Sequence, residues 1–359
     1  DLTEQPIGST VYTEHNDGYL AECLENLRSK AIEIQGWKMN SDQLRSLVSA
    51  ATRAPSGHNT QPWHFTAKDD EIVISPDYSR ELPAVDGNRR ELFISLGCAA
   101  ENLCLQASVL GYATETLLDG NNIRLRLQAS EHIAADPLAA YINQRQTNRS
   151  MYNGSLIPES SLQTIPLQPS AGGIKIHLFG RQSETFRLLT EAVIQGNAAQ
   201  MTDSAFKTEL LSWIRFNKKH AEHSNDGVSY AALGAPNLPR WLSEPIVKLM
   251  LNAETQNKAD RKKIAASSHL ALITSPADHI ADWVATGRSL QRFLLRLTQQ
   301  GIAHAYLNQP CEVPILRQQL QSELFPNGGE QPQLLLRLGY ADPLPFARRR
   351  PLHEVMQQP

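Results

Sequence analysis

The spacing of apolar residues predicts a chain in which helices and strands alternate. A helix is predicted from a cap at Ser41 to the residue before Pro55, because apolar residues between them recur at the i, i+3, i+4, i+7 spacing of one helix face. A second helix is predicted to begin at Asp136 with Pro137 in its first turn, and a third spans about residues 183–201. Strand-like runs lie between the helices, so the pattern favours an α+β or α/β layered fold over a helical bundle.

One ordered set of features occurs twice along the chain. Each copy has a strand-like run ending in Ser-Pro, an apolar helix that stops at a glycine, and a later β-like run that contains an arginine. The first copy comprises Glu71 to Ser75, Glu91 to Leu110, Gly111 and Ile123 to Leu127; the second comprises Leu270 to Thr274, Trp283 to Gln300, Gly301 and Leu334 to Leu338. Helix-stopping glycines are common, so chance similarity is the alternative, but the ordered recurrence favours a duplication.

A glycine also lies inside each repeated helix, fourteen residues before the glycine that ends it: Gly97 in the first copy and Gly287 in the second. Glycine inside a helix costs about 1 kcal/mol relative to alanine, so it usually marks a position where another backbone comes close. We therefore expect a close backbone contact at these positions.

The loop from Ala54 to Phe65 is the first candidate for chemistry. Pro55 and Gly57 are expected to fix an irregular turn, while Ser56, Asn59 and Gln61 offer short polar groups. Such a loop can present backbone N–H groups and amide side chains along the edge of a flat heterocycle, with the following tryptophan anchoring it to the core. An ordinary polar connection between a helix and a strand is the alternative.

The second candidate is Arg145-Gln-Thr-Asn-Arg149, predicted to lie at the C-terminal end of the helix that begins at Asp136. Arginines four residues apart share a helix face and can clamp a phosphate through paired N–H donors, with the Thr147 hydroxyl adding a bond. The helix dipole opposes an anion at this end, so the guanidinium charges would have to supply the attraction. A solvated basic helix end is the alternative.

Length and charge exclude several classes of protein. The chain has 359 residues and a formal net charge of −3, so its length favours two domains, each with its own core. The signs of charge are mixed, which gives no electrostatic footprint for nucleic acid. No apolar run approaches the roughly eighteen residues of a membrane span. His220 and His223 could share a helix face as metal ligands, but their charged neighbours favour a solvated surface, and we expect no metal site.

The four cysteines contain no CxxC pair and no disulfide framework, so a reducing compartment is the default expectation. Cys98 and Cys104 are expected to be small core residues. The sequence begins at Asp1 and shows no apolar signal core. We therefore expect a cytoplasmic location, with a periplasmic one open if a signal segment has been removed.

Both candidate segments resemble motifs of the nitroreductase family. Pro55-Ser-Gly-His-Asn-Thr-Gln-Pro-Trp63 is similar to the family's flavin-edge loop, whose pattern is close to Pro-Ser-x-x-Asn-x-Gln-Pro-Trp. Arg145 to Arg149 resembles its Arg-x-Ser-x-Arg phosphate motif, with Thr147 in place of serine. Pro332 to Tyr340 and Arg348-Arg-Arg-Pro-Leu352 resemble the family's closing strand and basic C-terminal segment. The resemblance runs from about residue 20 to the end and is greatest to the double-domain Acg-like branch.

The resemblance implies an α+β fold made of two tandem nitroreductase-like halves that form a pseudo-dimer within one chain, which could therefore act as a monomer. Residues 20–130 would supply the flavin-edge loop, and residues 131–359 the phosphate motif. The first half lacks that motif, because Arg28-Ser-Lys30 has the wrong spacing, and the second offers only Leu167 to Gly173 in place of the loop. One complete FMN site per chain is expected, and the symmetry-related site is expected to be dead.

The resemblance also assigns expected roles at the FMN site. Groups of Pro55, Ser56, Gly57, Asn59 and Gln61 would lie along the flavin edge. The phosphate would be held by Arg145, Thr147 and Arg149 together with one or more of Arg348, Arg349 and Arg350. A cation near flavin N1 would stabilise the anionic reduced form, and Arg90 is the first candidate.

The implied activity is FMN-dependent oxidoreduction, with NAD(P)H as donor and a nitro or quinone compound as the small-molecule acceptor. No Gly-x-Gly-x-x-Gly fingerprint follows a strand, which suits a family whose nicotinamide stacks directly on FMN. The alternative is a low-turnover protein that binds FMN for storage or sensing. Residues 203–261 could form a lid over the flavin, or simply surface helices with a loop.

Overall fold

The structure, a computed structural model, describes residues 39–165 and 172–357. The predictions for Cys23, for Arg28 to Lys30 and for residues 167–171 lie outside the described residues. The described chain forms two main β-sheets with long helices between and around them. The strands are β1 Trp63–Lys68, β2 Glu71–Pro76, β3 Tyr112–Asp119, β4 Asn122–Ala129, β5 Lys175–Gly180, β6 Ile214–Arg215, β7 Val228–Ser229, β8 His269–Ser275, β9 Ala303–Tyr306, β10 Gln331–Gly339 and β11 Met356–Gln357.

The helices follow the apolar patterns closely in most places. They are α1 Ser41–Thr52, α2 Arg90–Val109, α3 Glu159–Gln163, α4 Glu184–Thr202, α5 Ser204–Trp213, α6 Lys218–Ser224, α7 Arg240–Met250, α8 Ala253–Ala265, α9 Ile280–Gln299, α10 Gln309–Glu312, α11 Pro314–Leu324 and α12 Leu352–Val355. Short 3-10 turns occupy Gly57–Asn59, Tyr78–Arg80, Pro137–Tyr141 and Ala231–Leu233.

The two main sheets share one strand order. The first sheet has the order β11-β1-β2-β4-β3, and the second has the order β5-β8-β10-β9. When β11 is set aside, each sheet has the same order: its first and second strands along the chain, then its fourth strand, and then its third strand at the edge. Neighbours within each sheet are antiparallel, except that β11 pairs in parallel with β1. The C-terminal end of the chain therefore completes the first sheet.

The helices α2 and α9 cross in the middle of the molecule at their internal glycines. A Cβ on Gly97 would stand 2.2 Å from the Val284 carbonyl oxygen, and one on Gly287 would stand 2.0 Å from the Ile94 carbonyl oxygen. Because no side chain fits between these backbones, the expected close contact at both glycines is confirmed. The helix α2 is long and apolar enough to span a bilayer, but most of its surface is buried within the protein, as is typical of a core helix.

Two predicted helix starts need correction. The cap of α1 is Asn40 rather than Ser41, since its side chain accepts from the Gln43 amide and the Gln43 side chain accepts from the Asn40 amide. Asp136 does cap a turn by accepting from the Leu138 amide at 3.0 Å, but this turn is a short 3-10 helix that ends at Tyr141. The prediction that a helix continues to Arg149 is therefore wrong.

Residues 145–149 are extended instead. Thr147 forms a parallel bridge with His304, and the Asn148 amide donates to the His304 carbonyl at 2.8 Å. Pairing with the edge of the second sheet has replaced the helix, so the arginines are placed by tertiary contacts rather than by helical spacing.

Candidate functional site

The loop between α1 and β1 has a strained backbone. His58, Asn59 and Gln61 all have positive φ angles, of 48°, 55° and 54°. Each left-handed residue other than glycine costs of order 1–3 kcal/mol, and such residues cluster at functional sites. The irregular turn expected of this loop is present, but Gly57 does not supply it. A Cβ at Gly57 would lie 3.1 Å from Leu82 Cδ1, a tight contact that a shift of the leucine side chain by a few tenths of an ångström would relieve.

The polar side chains of the loop hold its shape. Asn59 Nδ2 donates to the Gly227 carbonyl at 3.1 Å and to the Arg348 carbonyl at 3.2 Å. Gln61 is fully buried; its Nε2 donates to the Asn225 carbonyl at 3.0 Å, and its Oε1 accepts from the Arg350 amide at 2.8 Å. These amides therefore tie the loop to residues 225–227 and to the basic tail.

Two adjoining cavities open beside the loop. The inner cavity, about 210 Å³, is bounded by Pro55 to His58, by Glu91, Ser95 and Cys98 of α2, and by residues 306–312. The arginine cavity, about 80 Å³, is bounded by Arg53, Asn59 and residues 145–147 together with Arg349. Pro55, Ser56, Arg149 and Tyr306 line both cavities. The predicted loop and the predicted phosphate motif thus meet at two neighbouring cavities that share four lining residues.

Positive charge collects at the arginine cavity without a matching negative charge. Arg145 is 5% exposed, and only its Nη2 is engaged, donating to the Arg53 carbonyl at 2.8 Å; Nε and Nη1 have no partner. Within the described part of the chain, Arg149 has no hydrogen bond or ion pair. Burial lowers the pKa of both guanidinium groups. An unpaired buried charge is costly, so this cavity is built to receive an anion.

The three tail arginines have separate roles. Arg349 lines the arginine cavity, donates to Asn59 Oδ1 at 3.0 Å, and has its pKa lowered by burial and then by Arg145 and Arg53. Arg348 points to the surface and pairs with Glu222 at 2.8 Å. Arg350 is buried away from the cavity and contacts Asp77 at 3.3 Å. Successive side chains of an extended chain point in opposite directions, so only the middle arginine reaches the cavity.

Arg90 is buried at the start of α2 and does not border either cavity. Its guanidinium donates to the main chain and side chain of Gln333, to Glu91 Oε1 at 3.1 Å and to the Cys311 carbonyl at 3.2 Å. The structure therefore places Arg90 behind Glu91, which does face the inner cavity.

Several cavity residues were not predicted from the sequence. Arg53 immediately precedes the loop, and Glu91, Ser95 and Cys98 belong to a helix whose apolar pattern indicated only a core role. Tyr306 and Asn308 also line the inner cavity, whereas His304 is buried and both of its ring nitrogens lack a partner. The four- and three-residue spacing of Glu91, Ser95 and Cys98, which puts them on one helix face, was the only sequence signal for the polar side of α2.

Residues 203–261 add walls to both cavities. Phe206 of α5 lines the inner cavity, and Gly227 to Ser229 line the arginine cavity. Arg80, just after β2, forms an ion pair with Asp226, and Glu209 accepts from the amides of Ala84 and Val85 at 2.9 and 3.0 Å. The segment thus packs directly on the loop that borders the cavities.

A third cavity lies against α9, and we call it the second-half cavity. It measures about 770 Å³ and is lined by Gly172, by Ala281, Ala285 and Arg288 of α9, and by Thr116 of β3, among others. Among the described residues, Arg288, Arg292 and Arg296 line it. Two of them are paired: Arg288 and Arg292 each contact Glu101 at 2.8 Å, and Arg292 also contacts Asp136 at 2.7 Å. This cavity has no strained loop among the residues that the structure describes.

Comparison with known proteins identifies the segment that contains the loop. Residues 38–82 match the profile described as "Nitroreductase family". This chain carries a nitroreductase-family segment. The match begins just before α1 and ends beyond β2, so it includes the strained loop and two of the four residues that line both cavities, Pro55 and Ser56.

Relatives extend the similarity over most of the chain. "Putative NAD(P)H nitroreductase Rv3131" of Mycobacterium tuberculosis (strain H37Rv) is 27% identical over 89% of this chain and 92% of its own length. "Putative NAD(P)H nitroreductase acg" of the same organism is 24% identical over 88% of this chain and 96% of its own length. The similarity to these relatives therefore extends well beyond residues 38–82. The crystal structure of the FMN-dependent nitroreductase NfnB from Mycobacterium smegmatis in complex with NADPH aligns with 61% of this chain and 97% of its own, at 15% identity and a TM-score of 0.40.

Proposed function

We propose that this protein is an FMN-dependent oxidoreductase that uses NAD(P)H to reduce nitro or quinone compounds. The observation that carries the proposal is that the loop of the segment similar to the nitroreductase family meets three arginines that lack a counter-charge, at two neighbouring cavities with shared walls. The two relatives described above, named NAD(P)H nitroreductases, support the same activity. The protein's own residues would bind and orient the cofactor, which performs the redox chemistry.

The arginine cavity fits the phosphate of FMN. Arg145 has two buried donors without partners, and Arg149 is free within the described residues, so a phosphate would satisfy donors that the protein leaves open. Arg349 would close the third side, and the Thr147 hydroxyl would add a bond. Negative charge here would also restore the pKa values that burial lowers.

The inner cavity fits the ring system at the other end of the cofactor. Ligand sites are usually concave clefts of roughly 300–1,000 Å³, and the two cavities together approach that range. Backbone groups of Ser56 and Gly57 lie at its border, and Tyr306 stands where it joins the arginine cavity. Bound FMN would supply two-electron exchange here, taking a hydride from NAD(P)H and passing two electrons to an acceptor.

We further propose that the chain is a tandem pseudo-dimer with one FMN site, residues 20–130 giving the loop and residues 131–359 the phosphate motif. The shared strand order of the two sheets supports it, as does the crossing of α2 and α9 at equivalent glycines. In the proposed arrangement the second-half cavity is the counterpart that has lost its cofactor, since Arg288 and Arg292 are neutralised by Glu101 and Asp136.

Rapid mixing of the yellow protein with NADH and with NADPH tests the activity. Loss of flavin absorbance within seconds with at least one donor is expected. Failure of both donors to bleach the flavin would contradict the reductase function. A colourless protein that takes up no added FMN would contradict cofactor binding altogether.

The second candidate is a low-turnover FMN-binding protein with a lidded flavin, for storage or sensing. It is favoured by residues 203–261, which give walls to both cavities and contact the loop through Asn59, Gln61 and Arg80. A closed lid would exclude acceptors from the ring. Slow reduction by both donors, with tight retention of FMN, would favour this function over the first.

A further inference from the structure

The inner cavity has two carboxyl groups on its inner wall, one from each half of the chain. Glu91 stands in the first turn of α2, and Glu312 is the last residue of α10. Both line the cavity opposite the nitroreductase-family loop. Carboxyl groups from two separate elements therefore face the space that the proposed function assigns to the flavin ring and its acceptor.

Glu91 presents one free oxygen to this space. Its side chain is 9% exposed, and its Oε1 accepts from Arg90 Nη2 at 3.1 Å and from Asn308 Nδ2 at 3.4 Å. Among the described residues no donor reaches Oε2, which lies 3.9 Å from the position that a Cβ on Gly57 would take. A side chain that is about nine-tenths buried thus has one carboxyl oxygen without a partner at the border of the cavity.

Glu312 is held close to the same cation. Its carboxyl accepts from Gln200 Nε2, and the preceding Cys311 carbonyl accepts from Arg90 Nη2 at 3.2 Å. Asp86, Glu209, Tyr306 and the Cys311 thiol also interact with the pair. The same cavity is lined by three further titratable or charged side chains, those of His58, Cys98 and Arg149. One buried guanidinium therefore balances an excess of carboxylates, and a buried site of this kind retains protons.

The direction of titration agrees with this geometry. Burial, followed by the charge of Glu312, raises the pKa of Glu91, and burial raises the pKa of Glu312 to about 7 against the effects of Gln200 and Arg90. Two interacting carboxyl groups then lose their protons in separate steps that belong to the pair.

We propose that Glu91 and Glu312 hold one proton between them and transfer it to the acceptor while the acceptor is reduced. The proposal rests on the proposed oxidoreductase function and adds a catalytic acid to it. Reduction of a quinone to a hydroquinone takes two electrons and two protons. A hydride from the reduced cofactor brings two electrons and one proton, so one proton must come from elsewhere. The carboxyl pair supplies it, becomes ionised, and regains a proton from water.

Acceptors that differ in their need for protons test the proposal. Holoenzyme reduced with dithionite and freed of excess reductant would be mixed with a benzoquinone and, separately, with ferricyanide, which takes electrons without protons. Glu312→Gln and Glu91→Gln are expected to lower the ratio of the quinone rate to the ferricyanide rate by at least about 10-fold, since a positioned acid typically contributes 10²–10⁴-fold. Glu91→Asp should recover part of the ratio, and the surface control Glu244→Gln should leave it unchanged.

The possible outcomes distinguish a failure of the proposed carboxyl pair from a failure of the proposed oxidoreductase function. A ratio that stays at the wild-type value in both glutamine variants would overturn the carboxyl pair and leave the oxidoreductase function standing. A wild-type protein that passes electrons to neither acceptor would contradict the oxidoreductase function itself.

A measurement of stability checks the pair without turnover. Because the folded-state pKa of Glu312 is raised from 4.5 to about 7, the native state binds more protons than the unfolded state in that window. The free energy of unfolding is therefore expected to fall as pH rises from about 4.5 to 7, and Glu312→Gln should remove part of that fall. The same pH dependence in wild type and variant would overturn the proposal.

Discussion

The inner cavity and the second-half cavity lie against equivalent faces of the two central helices and differ in charge. With the offset of 190 residues that separates Gly97 from Gly287, Glu91, Ser95 and Cys98 correspond to Ala281, Ala285 and Arg288, and both trios line their cavities. The second-half cavity is larger, at about 770 Å³ against about 210 Å³. If volume were the only criterion, the second-half cavity would be the better candidate for the FMN site.

The unpaired positive charge and the strained loop between α1 and β1 instead favour the inner cavity as the FMN site. At the inner cavity and the adjoining arginine cavity, a strained loop meets arginines that have no acidic partner, whereas at the second-half cavity Arg288 and Arg292 are already paired with Glu101 and Asp136. A paired arginine has little to gain from an anion, because binding would first have to break its existing contacts. Unpaired guanidinium donors are therefore a better indicator of a phosphate site than the volume of a cavity.

The double variant Arg145→Ala, Arg149→Ala is expected to have the largest effect. Hydrogen bonds to charged groups contribute about 1.5–3 kcal/mol each, so losing both arginines should weaken FMN binding at least about 100-fold and yield colourless protein. Arg292→Ala, Arg296→Ala makes the matched change in the second-half cavity and should leave FMN in place. Equal loss of flavin from both double variants, measured by absorbance after gel filtration, would remove the distinction between the cavities.

Alanine at either crossing glycine is expected to cost about 3 kcal/mol of stability. A methyl group at Gly287 or Gly97 would overlap a backbone carbonyl of the other helix, and overpacking against backbone is relieved only by moving a helix. The two variants should cost similar amounts in denaturant unfolding, because each glycine meets the other's helix. Gly180→Ala, where the nearest atom is His269 Nε2 at 3.5 Å, should change stability by about 0.5 kcal/mol or less. A cost at only one of the crossing glycines would break the symmetry between the helices.

The smallest effect is expected within the tail. Arg349→Ala should weaken FMN binding about 10-fold or more, because it removes one charged group from the arginine cavity. Arg348→Ala removes an exposed pair with Glu222, worth about 0–1 kcal/mol, and should leave the dissociation constant unchanged. Titration of the Arg349→Ala and Arg348→Ala proteins with FMN measures both dissociation constants. Equal values would show that the FMN phosphate does not bind in the arginine cavity.

The repeat and most elements were predictable, because they depend on local patterns. The caps at Ser183 and Asp136 follow from short-range hydrogen bonds, and the crossing at Gly97 and Gly287 follows from the cost of glycine in a helix. Residues 145–149 were assigned to a helix because Asp136-Pro137 is a strong start signal. Pairing with His304, which is distant in sequence, overrides that signal.

The two sequence motifs of the site could be predicted from the sequence, but most of the other residues that line the cavities could not. The positions of Pro55 and Arg145 follow from recognisable patterns, whereas the separation of Arg348, Arg349 and Arg350 depends on the direction of an extended tail across the fold. Glu91 and Glu312 come from different halves, and only the packing of α2 against residues 306–312 brings them to one cavity. The periodicity of the sequence therefore could not predict that Glu91 and Glu312 line the same cavity.

The ratio of flavin to polypeptide in the purified, FMN-saturated protein tests the central claim most directly. Absorbance of released FMN against protein concentration from amino-acid analysis gives the number of sites without any assumption about turnover. A single complete site, assembled from the loop of one half and the arginines of the other, predicts a ratio near one. A ratio near two would show that the second-half cavity also binds FMN and would contradict the account.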